Sequence, residues 1–376
     1  MSFRLIKNMT LLTGFIVSGV TANPLQDIRA NLEDARNSFI FVMSPGASVE
    51  VGSQAAQQAG GTVRHVFRNT ITGFSATLPE EAARRLVQNH PTITSFEPNR
   101  VVWAIAKPDR PKGKPPQDGE GGSNQVTPWG VNRIGGSRDG MGKNAWVIDT
   151  GIDASHRDLT VGPGANFVTK GKNTTHDENG HGTHVAGTIA ALDNNHDVVG
   201  VAAGATVHPI RVLDRSGSGI LDSVIAGIDY VAANATPGDC ANMSLGARGF
   251  SQALQDAVVN AASRGIWFAV AAGNDGEHAD NFTPAQVEHP YVLTVSAINS
   301  DDQFAAFSNF GNPPVDWAAP GVAIESTRSG GGTATYSGTS MATPHVCGIV
   351  MMQGAVNTDG YAIGDPDGSP DPIAHY

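Results

Sequence analysis

Cysteine is almost missing: Cys240 and Cys347 are the only two in 376 residues. That excludes a small scaffold stapled by several bridges, whatever compartment the chain reaches. Both lie in apolar runs, and two buried free thiols are expected, since spacing alone does not bring the side chains together. Long apolar runs are missing as well. Beyond the N-terminal segment nothing approaches the ~18 to 20 apolar residues of a membrane-spanning helix. Positive charge is scarce, with 24 Lys+Arg against 35 Asp+Glu and a net charge of −11. The deficit is uneven: 13 basic against 10 acidic residues up to Asn124 (+3), then 11 against 25 (−14). An acidic major part argues against nucleic-acid binding. The opposite signs favour association of the two parts with each other.

The length and 40% hydrophobic content support two folded units. Residues 1–22 read as an export signal: Arg4 and Lys7 precede an apolar stretch, and Val20-Thr21-Ala22 offers small residues for cleavage. A secreted, extracellular protein that does not stay in the membrane after signal removal is expected, and a monomer. Residues 38–103 read as a small α+β unit, with strands at 39–43, 62–67, 72–78 and 93–102 and helices at 49–59 and 79–89. Residues 104–124 are rich in Pro, Gly, Lys and Asp and read as a protease-sensitive linker. From 125 to 356 apolar strands alternate with helical patterns. This predicts an α/β fold, three layers with a mainly parallel central sheet. Sites in such sheets form beyond the carboxyl ends of the strands.

Three segments carry the chemistry: Val147-Ile148-Asp149-Thr150-Gly151, Asn179-Gly180-His181-Gly182-Thr183-His184 and Ser337-Gly338-Thr339-Ser340-Met341-Ala342. A serine hydroxyl needs an imidazole to take its proton and a carboxylate to orient that imidazole. Ser340 opens a helix, where the positive terminus favours a developing oxyanion. With the chain order Asp, His, Ser, these segments resemble the subtilisin-like serine proteases, the subtilase (peptidase S8) family. The resemblance implies a serine endopeptidase acting on polypeptide substrates through an acyl-enzyme. Ser340 would be nucleophile, His181 general base and then acid, and Asp149 its orienting partner. His181 and His184 are three apart, not the i, i+4 pair with an intervening Glu that a helix-borne zinc site needs.

The same resemblance implies more. Ala271-Ala272-Gly273-Asn274-Asp275 matches the segment whose Asn amide serves the oxyanion hole, here Asn274. Ser244-Leu245-Gly246 would receive the substrate as an added strand, with Ala272 and Gly273 in the wall of the specificity pocket. A structural calcium ion (Ca2+) would be held by Gln125, Asp158, Asn194 and the carbonyls of Leu192, His196 and Val198, an all-oxygen set. Residues 38–103, with Gly73-Phe74-Ser75-Ala76 and Phe96-Glu97-Pro98-Asn99, resemble the I9-type inhibitory propeptide of secreted subtilases. That implies a self-processed zymogen with its own propeptide as intramolecular inhibitor. One stretch departs from the family. Residues 357–376 read as a disordered tail where subtilases continue with a helix and strands. The alternative is therefore an inactive or C-terminally truncated relative that at most binds peptides.

Overall fold

The computed structural model describes residues 24–105, 107–108 and 125–376. The segment read as an export signal, and most of the 104–124 linker, lie outside these residues.

The N-terminal unit is an antiparallel sheet with helices on one face. It runs α1 (Pro24–Arg36), β1 (Ser38–Met43), α2 (Val49–Gln58), β2 (Thr62–Phe67), β3 (Gly73–Thr77), α3 (Glu80–Asn89), β4 (Ile93–Pro98) and β5 (Val101–Ala104), with sheet order β2-β3-β1-β4. Strand alternation explains why both faces of this sheet are covered. Phe39, Phe41 and Met43 pack with Phe74, Ala83 and Leu86 under α2 and α3, while Ile40 belongs to a core shared with the large unit. The expected closing strand divides at Asn99-Arg100 into β4 and β5, and β5 leaves the small sheet altogether. Helix α1 was not legible in the sequence.

The large unit contains β6 (Asn144–Asp149), α4 (His181–Ala190), β7 (Thr206–Arg211), β8 (Ser218–Ile220), α5 (Leu221–Asn234), β9 (Cys240–Met243), β10 (Leu245–Arg248), α6 (Gln252–Ala262), β11 (Trp267–Ala271) and β12 (Val292–Ile298). It continues with β13 (Trp317–Pro320), β14 (Ile324–Thr327), β15 (Thr333–Ser337), α7 (Thr339–Gln353), β16 (Asn357–Tyr361) and β17 (Pro372–His375). The main strands of the central sheet have the order β7-β6-β9-β11-β12-β13-β17-β16, parallel except for the last pair, and the short strand Ala165–Asn166 pairs parallel with β7. Its strands are apolar on both faces because both are covered. In β6, Trp146 and Ile148 pack with α5 and α6, and Ala145 and Val147 pack with α4 and α7. Asp149 ends β6 at the carboxyl edge of the sheet.

Two expectations are corrected. Cys240 and Cys347 are not free thiols but a disulfide, with Cα atoms 5.8 Å apart and 107 residues of separation. Parallel crossover brings the start of β9 against α7, a neighbour relation that linear spacing hides. Closing so long a loop is worth about 4–5 kcal/mol in chain-entropy terms. The tail from Asn357 is not disordered. β17 joins the sheet beside β13, pairing Ile373 with Ala318. Ile373 and Ala374 are fully buried, and the Tyr376 hydroxyl donates to the Val201 carbonyl at 2.9 Å. A four-residue strand, Pro372–His375, with Ile373 and Ala374 buried, is enough for an edge pairing, although the composition around it reads as loop.

Candidate active site

Asp149 and His181 meet because a strand end and a helix start are clamped together. His181 is the first residue of α4, and its Nδ1 lies 2.8 Å and 2.9 Å from the two Asp149 carboxylate oxygens. Both side chains are buried. Gly182 makes the approach feasible: a Cβ there would stand 2.2 Å from the Gly151 carbonyl oxygen and 3.2 Å from Asp149 Cβ. Gly180 takes φ 107° at the helix cap, a conformation that favours glycine. Burial opposes the imidazolium of His181, but the Asp149 charge, its hydrogen bond and the Asp177 charge outweigh it, so its pKa lies above the usual histidine value. His184 points away, with Nε2 3.1 Å from the Ile324 and Ala334 carbonyls, and burial lowers it to about 3.

Ser340 is the second residue of α7, after the extended Gly338. Pro344 sits four residues later in the same helix and has no N–H for the Ser340 carbonyl. That carbonyl accepts the Ser244 hydroxyl instead, at 2.9 Å. Ser340 Oγ donates to the Ser244 carbonyl at 3.0 Å, while His181 Nε2 is buried with no hydrogen-bond partner among the described residues. The Asp–His pair is therefore assembled. The serine hydroxyl is turned to the neighbouring carbonyl rather than to the imidazole.

The cleft beside Ser340 holds the end of the N-terminal unit. β5 lies antiparallel between β8 and β10, pairing Trp103 with both Ser218 and Gly246, and Ala104 with Leu245. Ile105 N–H donates to the Ser244 carbonyl at 3.2 Å, and Ala104 N–H to that of Gly217 at 2.8 Å. Asn274 Nδ2 donates to the Ile105 carbonyl at 2.9 Å. The Asn274 amide is fixed in that sense because its Oδ1 accepts from Thr339 N–H (2.9 Å) and Thr339 Oγ1 (3.0 Å). A cavity of about 520 Å³ opens here, lined by Trp103, Ile105, Gly246, Arg248, Gly273, Asn274 and Phe282 among others. Of the two expected wall residues, Gly273 lines it. Ala272 packs behind, with Phe282 and Ala285.

A family model described as the subtilase family matches residues 146–357. The chain belongs to the subtilase family. It is 41% identical over 343 residues to the extracellular serine proteinase of Thermus sp. (strain Rt41A), covering 86% of this chain and 77% of that protein. It is 39% identical over 302 residues to subtilisin E of Bacillus subtilis (strain 168), covering 78% and 73%. Among solved structures, a cold adapted subtilisin-like serine proteinase matches with TM-score 0.58 at 36% identity, over 67% of this chain and 98% of that one. The chain is thus a serine protease with the α/β fold of its subtilase relatives.

Five of the six residues expected to hold calcium, Gln125, Asp158, Leu192, Asn194 and Val198, are hydrogen-bonded to one another. Gln125 Nε2 lies 2.5 Å from the Leu192 carbonyl and 2.9 Å from that of Val198, and Gln125 Oε1 accepts Asn194 N–H at 3.1 Å. Asp158 accepts Asn194 Nδ2 at 2.7 Å and Val198 N–H at 3.3 Å. Burial pushes Asp158 up to about 6. His196 donates its N–H to Asn194 Oδ1 at 2.6 Å. Among the described residues no three His, Cys, Asp or Glu side chains converge, and of the expected ligands Asp158 alone is a carboxylate, the rest being neutral oxygens. Such a donor set fits a hard cation.

Sequence reasoning missed several groups at the site. Strand β8 forms the second wall of the cleft, Thr339 orients Asn274, and Asp177 and Thr150 cap α4. Asp177 was findable, since Asp or Asn shortly before a helical run is a start signal.

Proposed function

We propose that this subtilase is a secreted serine endopeptidase made as a precursor, with the N-terminal unit as its inhibitor and first substrate. One observation carries the reading: the Ile105 carbonyl accepts the Asn274 amide while β5 runs through the cleft as an added strand. That is where the carbonyl of a scissile bond belongs, and it names the bond between Ile105 and Ala106. In this reading Ser340 Oγ swings from the Ser244 carbonyl to His181 Nε2 and gives up its proton there. The oxygen then attacks the Ile105 carbonyl carbon. Asn274 Nδ2 stabilises the oxyanion, and the imidazolium, held by Asp149, returns the proton to the departing Ala106 nitrogen. Water then cleaves the Ile105 ester by the same base.

After cleavage the N-terminal unit stays as a plug. Asp229 on α5 accepts from the backbone N–H groups of Arg68, Asn69 and Thr70 and from both side chains of Asn69 and Thr70. Glu97 caps α6 through Ser251 Oγ and Gln252 N–H. On α1, Asp27 pairs with Arg215 at 2.7 Å, and Asn31 reaches Asp214 and Ser218 at 2.8 Å and 2.9 Å. The Ile105 side chain faces Gly246, where a Cβ would come within 3.1 Å of its Cδ1, so medium-sized aliphatic residues suit the primary pocket. Gln125, Asp158, Asn194 and the Leu192 and Val198 carbonyls would hold a structural Ca2+ that stiffens the 192–200 loop. The ordered tail favours an active enzyme, since β17 covers the sheet edge beyond β13.

Labelling with a fluorophosphonate tests the reading, because it demands a folded nucleophile, base and oxyanion donor together. The mature chain is expected to take one label, at Ser340, and His181→Ala to take none. A folded mature chain that stays unlabelled would remove the enzyme reading.

A further inference from the structure

Asp177 is fully buried and serves neither as a member of the triad nor as a contact to the strand in the cleft. Its carboxylate nevertheless accepts five hydrogen bonds. Oδ1 takes Thr150 Oγ1 at 2.8 Å, Asn179 N–H at 3.0 Å and Gly180 N–H at 2.8 Å; Oδ2 takes Thr183 N–H at 2.9 Å and Thr183 Oγ1 at 2.7 Å. Thr150 follows Asp149 directly, and its Oγ1 in turn accepts Gly182 N–H at 2.9 Å. One carboxylate therefore ties the end of the strand bearing Asp149 to the first turn of the helix bearing His181. The helix cap itself, Gly180, has no side chain to do this.

We infer that Asp177 is a positioning residue for the Asp149–His181 pair, locking strand β6 to helix α4 and adding a second buried negative charge beside the imidazole. This rests on the triad reading above. The charge matters because the other groups facing His181 are neutral or already paired. His184, one turn along α4, is held neutral by burial. Tyr336, from β15, is pushed above the ordinary phenol value by burial and by Asp177 itself. Glu178 is taken up by Arg211 at 2.7 Å. That leaves Asp149 and Asp177, both of which hold the His181 pKa up against burial.

The lock and the charge are separable by mutation. Thr150→Val cuts the bridge to Gly182 N–H and leaves the Asp177 carboxylate in place. It is expected to lower kcat about 10-fold or more, the scale on which small misplacements act, with KM within twofold. Its acid limb of the pH–rate profile stays where the parent's is, and Thr150→Ser restores kcat. Asp177→Asn keeps the shape and removes the charge. Its kcat should fall about 10- to 100-fold, and the acid limb should move to lower pH by about half a unit or more, because a less favoured imidazolium deprotonates earlier. A purely structural role would lower activity without moving the limb. The parent enzyme must hydrolyse peptide and Ser340→Ala must not; failure of that control sinks the triad reading instead. An unmoved acid limb in Asp177→Asn, or Thr150→Val with kcat within twofold of the parent, overturns the positioning role. If Asp177→Asn does not fold, the Thr150→Val and Thr150→Ser pair alone decides it: loss with Val and recovery with Ser supports the lock, and equal rates for both reject it.

Discussion

With the N-terminal unit as the proposed inhibitor, Asp229→Ala should speed its release from the cleaved complex. Asp229 Oδ1 accepts Asn69 N–H at 2.7 Å, Thr70 N–H at 2.8 Å, Thr70 Oγ1 at 2.9 Å and Arg68 N–H at 3.1 Å, and Oδ2 accepts Asn69 Nδ2 at 2.9 Å. Hydrogen bonds to a charged acceptor are worth about 1.5–3 kcal/mol each when counted singly. They share one carboxylate here, and all five donors regain water when the unit leaves, so they do not add. About 3–4 kcal/mol for the set is reasonable, or roughly 10²–10³ in the lifetime of the cleaved complex. Alanine suits the interior of α5, so the fold of the large unit should not suffer. Purified precursor would be followed by gel for cleavage and by peptide hydrolysis for activity. The variant should cleave at the parent's rate but lose the lag between cleavage and activity. A lag within twofold of the parent's would refute the claim that this carboxylate holds the plug.

The remaining predictions concern pH and calcium. Burial raises buried Asp371 to about 7, and its Oδ1 has no hydrogen-bond partner among the described residues. The folded state then binds the proton more tightly than the unfolded one, so stability falls as pH rises from about 4 to 7 and the cost is complete above 7. Asp371→Asn keeps an acceptor for Ser296 Oγ and should raise Tm at pH 8, by as much as about 4 kcal/mol of stability, with little change at pH 4. Thermal scans of both chains in a Ser340→Ala background check this; equal gains at pH 4 and pH 8 would show that ionisation is not the cause. Calcium at a hundredfold excess over Kd should stabilise by about 2.7 kcal/mol. Chelation should reverse that, and Asp158→Asn should be insensitive to either. A variant whose Tm still rises with calcium as the parent's does would place the ion elsewhere.

The parts of this chain most legible in its sequence are those where local pattern and tertiary role coincide. β6 reads as a buried parallel strand because Ala145 to Ile148 is apolar on both faces, and Asp149 at its end falls at the sheet's carboxyl edge. His181 stands out because glycines flank it: Gly182 is required by the close approach of β6, and Gly180 by its positive φ at the helix cap. The disulfide was hidden because Cys240 and Cys347 are joined by a sheet crossover rather than by sequence pattern. β17 was hidden because its four residues gain their stability from the β13 edge and not from their own propensity. The separation of β5 from the small sheet depends on its two partners in the large unit, Ser218–Ile220 and Leu245–Arg248. No period in residues 93–104 records them. Asp177 was passed over because its importance lies in what it joins, Thr150 to Thr183, and not in its own type.

The placement of the Ile105 carbonyl against Asn274 makes the Ile105–Ala106 bond the proposed first substrate. Intact mass and N-terminal sequencing of the mature enzyme test it most directly. Cleavage after Ile105 predicts a mature chain beginning at Ala106 as the first product, and a Ser340→Ala precursor that stays whole when purified alone. A first cut at another bond, or a Ser340→Ala precursor that matures unaided, would contradict it.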